Sequence, residues 1–156
     1  MPLATSLYDW LLFLHILAAT VWLGGLVVIS LQATLVLRSR DADLFDRFLG
    51  SMRFVGPIAL GAPMLAVLGF GIWMVIHSPA WDFGQDWVVA ALALFAGAFV
   101  IGIAFQARAA IGAQRAAEAG DRDQALRQFR RWSWGMRFIS VILVVAVWDM
   151  VAKPGL

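Results

Sequence analysis

The chain has 156 residues, of which 62% are hydrophobic and only 14% charged, with a formal net charge of +2. A soluble domain is nearer half apolar and a quarter charged, so this composition excludes an ordinary soluble fold and indicates an integral membrane protein. There is no cysteine, which excludes disulfides, thiolate metal sites and thiol catalysis.

Residues 7–37 form the first apolar block, longer than the roughly 20 residues that a bilayer crossing needs. Its start, MPLATSLYDW, has no basic n-region and carries Asp9, and the block outruns an h-region, so it reads as a retained helix rather than a cleaved signal peptide. His15, Ala18, Trp22, Gly25, Ile29 and Gln32 follow steps of three and four, the spacing of one buried seam. Small residues at Ala18 and Gly25 admit a close neighbour, and Gly24-Gly25 reads either as a packing device or as a gap for a flat ligand. His15 lies about 8 Å inward from Trp10 at the rise of an α-helix. An ionisable group at that depth is expensive in lipid and invites a functional role.

The stretch DADLFDRFLGSMRF carries Leu44, Phe45, Phe48, Leu49 and Met52 at helical spacing, with Asp41 and Asp43 as candidate caps. The second span covers residues 57–76 and holds Gly56-Pro57, Gly61, Pro63, Gly69 and Gly71. Pro57 suits a first helical position, whereas Pro63 falls inside the pattern and predicts a kink. His77 stands at the far end of this span, three residues after Met74. It reads as an interfacial residue or as a metal ligand.

The third span covers residues 87–105. An alanine-rich helix follows to Gly120, a candidate C′ residue, and Asp121 with Gln124 resembles a capping box for the next helix. The fourth span covers residues 136–152. Asp149 sits at an outer depth similar to that of His15. It can pair locally with Lys153, four residues on, or meet His15 across the bundle.

Charge orients these spans. Arg38, Arg40, Arg47 and Arg53 separate the first two, and Arg108, Arg115, Arg122, Arg127, Arg130 and Arg131 separate the last two, with Arg137 opening the fourth. The other side carries Lys153. The positive-inside rule puts both arginine-rich segments in the cytoplasm and both termini outside. Trp10, Trp81, Trp87 and Trp148 fall near the outer boundary and Trp132 and Trp134 near the inner one, as an aromatic belt would. Because the cations sit between apolar blocks, topology and anionic lipid explain them, and no nucleic-acid partner is expected. A soluble or membrane protein docking on the helical hairpin around Arg127, Arg130 and Arg131 is the other reading of that surface.

The chemistry of the two imidazoles is haem ligation or copper binding. A haem or porphyrin site would centre on His15, lined by Trp22, given room by Gly25 and oriented by Asp149 through the second ring nitrogen. A copper site on the outer side would use His15 and His77, with Met74. The HExxH zinc motif, the phosphate-binding glycine loop and the nucleophile elbow are absent from the sequence. The residues therefore leave three functions open: haem-linked redox or electron transfer, a non-catalytic subunit or scaffold, and copper handling.

The segments LHILAATVWLGG, RFVGPIAL, FRRWSWGMRFISVILVV and MVAKPGL, in that order, resemble a bacterial family of predicted integral membrane proteins of unknown function, domain of unknown function 2269. The layout is more distantly similar to the four-helix membrane protoporphyrinogen oxidases of the HemJ type, and its start to the CopD copper resistance membrane family. The oxidase resemblance implies a first-helix histidine that handles haem or porphyrin, matched by His15. That family also carries a lysine near the start of its third span, where this chain has DWVVAALAL with Ala90 and Ala91. The expectation is an all-α four-helix bundle over residues 1–156, a single domain in the bacterial inner membrane.

Overall fold

The computed structural model describes residues 6–155. The first five residues of MPLATSLYDW and the final leucine of MVAKPGL lie outside the described residues. Four helices are long and apolar enough to cross a membrane: α1 (Leu7–Ser39), α2 (Ala42–His77), α3 (Asp86–Glu118) and α4 (Arg122–Ala152). No strand occurs among the described residues. Lipid offers backbone groups no partner, so each segment satisfies its own amides as a helix.

The spans extend well past the apolar blocks. At about 1.5 Å per residue, α2 is roughly 54 Å long, far more than a hydrocarbon core of about 30 Å. Residues 42–56, expected as a separate helix, run straight into the second span, and Pro57 lies mid-helix rather than at a first turn. The helix survives by widening. Pro57–Gly61 forms a π-helical turn closed by the Ala62 N–H on the Pro57 carbonyl, which makes room for a residue that cannot donate. A second π-helical stretch, Ile101–Ala107, interrupts α3.

Local signals set the ends. Asp41 accepts from the amides of Asp43 and Leu44, and Asp121 accepts from that of Gln124. Gly120 closes the α3–α4 turn with φ of 76°, a conformation that glycine adopts without strain. Ser6 and Asp9 form a capping box at α1, which accounts for an acid at the start of a membrane helix.

The helices pack in the order α2, α1, α4, α3. α2 and α3 meet near the arginine-rich end, where residues 42–56 approach residues 108–118. Two short turns, α1 to α2 and α3 to α4, share that end. An aromatic cluster closes it. The Phe129 ring lies 5.3 Å from Phe45, 5.6 Å from Phe48 and 5.4 Å from Trp132. Trp132 is therefore buried in this cluster and not displayed at an interface, because the fourth helix begins fourteen residues before the expected span and residues 42–56 fold down over it. Trp134, two residues on, is 69% exposed.

At the opposite end Trp81 donates to the Tyr8 hydroxyl at 2.9 Å, and the Lys153 ammonium sits 4.0 Å from the Trp81 ring centre and 5.5 Å from that of Trp87. Cation–π attraction holds the C-terminal end of α4 to the α2–α3 turn. Phe13, Leu31, Leu35, Phe138 and Val141 face outward, an apolar coat suited to lipid. Replacing Phe129 with alanine empties the centre of the aromatic cluster. The expected loss is about 3–5 kcal/mol, read by equilibrium unfolding in mild detergent.

Candidate functional site

The buried seam of α1 includes His15, Ala18 and Trp22 as the sequence spacing predicts, and begins one turn earlier, at Leu11. It then continues through Leu26, Ile29, Ala33 and Val36, not through Gly25 and Gln32, because a straight α-helix drifts against a strict three-four pattern. Gln32 faces outward. Gly25 meets the π turn of α2: a methyl group there would lie 3.4 Å from the Ala59 carbonyl oxygen. The space beside Gly25 is filled by neighbouring backbone.

His15 is 6% exposed. Its Nδ1 lies 2.9 Å from the Val67 carbonyl oxygen of α2. A carbonyl only accepts, so Nδ1 carries the proton and Nε2 keeps its lone pair. Gly71 provides the seat one turn further along α2. A methyl group on Gly71 would come within 3.1 Å of His15 Cε1.

Asp149 is 4% exposed, and its Oδ2 has no hydrogen-bond partner among the described residues. Neither expected partner engages it. Lys153 is drawn to the Trp81 and Trp87 faces, and His15 turns toward α2. Asp149 instead lines a shallow groove between α3 and α4, beside Ala90, Ala93 and Gly97. His77 is exposed and accepts from Trp73 Nε1 at 3.4 Å. It stands six residues beyond the His15 seat at Gly71, about 9 Å of helix rise. Among the described residues no three of His, Asp or Glu converge as a metal-ligating group. His15 and His77 engage different partners, the Val67 carbonyl and Trp73.

Among the expected site residues, Trp22 borders a second cavity. It packs on Phe95 of α3, ring centres 5.9 Å apart, and helps to line a space of 480 Å³ located where α2 and α3 separate. Leu26, Met64, Phe99 and Trp132 make the walls apolar. Arg53 and Gln114 line the portion toward the arginine-rich end, and Gln106 lines the middle. Gln106 is 6% exposed, and neither its Oε1 nor its Nε2 has a hydrogen-bond partner among the described residues. Burying an amide unsatisfied costs about 1–3 kcal/mol. Its seat is Gly135 of α4, where a methyl group would fall 2.7 Å from Oε1.

The sequence pattern alone does not single out Val67, Gly71, Gln106 or Gly135. A carbonyl partner leaves no trace in residue identity, and Gln106 stands at the edge of its apolar block, where a polar residue looks interfacial. The usable signal is the pair of glycines, each facing a polar side chain on another helix.

Gly71→Ala is expected to destabilise the protein by about 1–3 kcal/mol through overpacking against His15. In a thermal-unfolding double-mutant cycle, adding His15→Ala recovers part of that loss, because the two residues share one contact. Additive losses would show that the seat is not felt.

A family model described as predicted integral membrane protein (DUF2269) matches residues 9–154. No curated protein and no solved structure matches the chain. The match runs through all four helices, His15, Gly71, Gln106 and Gly135 included, and the chain belongs to this family of predicted integral membrane proteins.

Proposed function

We propose that the protein is a non-catalytic membrane subunit or scaffold, seated in the bacterial inner membrane with its arginine-rich end in the cytoplasm. The observation that carries this reading is the engagement of His15. Its Nδ1 proton goes to a backbone carbonyl on the neighbouring helix, and its ring edge is closed off by Gly71. Such a histidine ties α1 to α2 as an interhelical hydrogen bond. The exposed guanidinium-bearing residues Arg127, Arg130 and Arg131 are then the working surface, facing anionic headgroups or a protein partner.

Haem or porphyrin at His15 is the second reading. A proton fixed on Nδ1 by a carbonyl leaves Nε2 as the free donor atom, the arrangement that metal-ligating histidines adopt. Less favourable to this reading, His15 borders neither cavity described above, and the one between α2 and α3 begins at Trp22, about 10 Å further along α1.

One preparation separates the two readings. Protein purified in mild detergent from haem-replete cells is expected to carry a stoichiometric partner, lost on combined Arg127→Gln, Arg130→Gln and Arg131→Gln, and to show no Soret band. A protein that runs alone and shows a band abolished by His15→Ala replaces the scaffold reading with the haem one.

The orientation has its own test, made clean by the lack of native cysteine. In spheroplasts, a membrane-impermeant maleimide is expected to label Ser78→Cys and to spare Ser39→Cys. The opposite pattern inverts the topology.

A further inference from the structure

We propose that the 480 Å³ cavity between α2 and α3 is a binding site for one anionic amphiphile, an acidic lipid that enters sideways from the leaflet at the arginine-rich end. The cavity is separate from the His15 seat, since neither His15, Val67 nor Gly71 lines it.

Three independent features point to this ligand. First, the deep part is apolar and aromatic, with Trp22, Met64 and Phe99. Arg53 and Met64 are eleven residues apart on α2, about 16 Å along the helix, a length suited to an acyl chain lying parallel to the helices. Second, polarity is graded along that axis. Arg53 is exposed and lines the cavity at the end of the bundle where the arginines gather, so an acidic headgroup meets a fixed positive charge there. Third, Gln106 is buried with both amide atoms unpartnered among the described residues. Its Nε2 can donate to an ester or carboxyl oxygen of the ligand, the partner that the protein itself does not supply.

The backbone is shaped for the same purpose. Both π-helical turns, Pro57–Gly61 and Ile101–Ala107, border the cavity through Pro57, Gly61, Gly102 and Gln106. A π turn adds a residue to the helical circuit, and such turns recur at functional sites. Here the α3 turn carries Gln106. Gly61 and Gly102 have no heavy atom within 4 Å of where a methyl group would stand, so both leave room rather than close a contact. Gly135 preserves the position of the Gln106 amide.

The test is native mass spectrometry of the delipidated full chain titrated with phosphatidylglycerol or with phosphatidylcholine of the same acyl chains. One phosphatidylglycerol per chain is expected to persist, with phosphatidylcholine retained about tenfold more weakly. Gly102→Phe starts from a position where a methyl group meets no heavy atom within 4 Å, directs a ring at the cavity, and is expected to reduce retention by about tenfold while the protein stays folded. Arg53→Gln is expected to erase the headgroup preference. Gln106→Leu is expected to weaken retention several-fold yet raise the unfolding temperature of the lipid-free protein, because it removes an unsatisfied buried amide. Equal retention of the two lipids overturns the anionic assignment. Retention unchanged by Gly102→Phe means the lipid is annular and overturns the site, as does failure to retain phosphatidylglycerol at all.

Discussion

The bundle depends on α1. It packs against α2 on one side and α4 on the other, and its seam from Leu11 to Val36 is buried along nearly the whole helix. In lipid, helices gain nothing from hiding apolar surface, since the surrounding tails are equally apolar. Association has to come from close packing and from hydrogen bonds that lipid does not offer. Both are present on this seam. Ala18 and Ala33 let neighbours come near, and His15 contributes its bond to Val67. The cost of placing an imidazole in a membrane helix is offset by the carbonyl it meets, and that partnership sets how α2 lies against α1.

With α1 and α4 holding the middle, α2 and α3 become the outer helices of an open row. They come together where residues 42–56 approach residues 108–118 and diverge beyond it. The cavity is the consequence of that divergence, and the π turns are where each outer helix adjusts its register beside it. Aromatic packing around Phe129 closes one end of the bundle, and Lys153 over Trp81 fastens the other. The protein is thus tied at both ends and open at mid-height on one side.

Among the described residues the buried polar atoms without partners belong to Ser30, Ser133, Gln106 and Asp149, and the two of these that line cavities are the Gln106 amide and one oxygen of Asp149. Unsatisfied groups are costly wherever water is excluded, and they stand in different places, one in the cavity and one in the α3–α4 groove. His15, by contrast, is satisfied. The imidazole that draws the eye in the sequence meets a carbonyl on α2, and the unmet hydrogen-bonding capacity of Gln106 and Asp149 lies elsewhere.

The amino-acid sequence by itself determined that the chain spans a membrane four times, where the arginines fall, and how the helices begin at Asp41 and Asp121 and end at Gly120. These follow from block hydrophobicity and from side chains that bond their own nearby backbone, both local properties. It also placed His15, Ala18 and Trp22 on one face of α1, because helical periodicity is local too. Only the tertiary structure decided that Pro57 stays within a helix, that the seam passes to Leu26 and Ala33, that Trp132 is buried under residues 42–56, and that Asp149 meets neither His15 nor Lys153. It alone placed Gln106 opposite Gly135 and His15 opposite Gly71. Each of those outcomes depends on which helix faces which, and in a uniformly apolar sequence helix pairing is decided by steric fit and hydrogen-bond geometry in three dimensions, which residue order does not record.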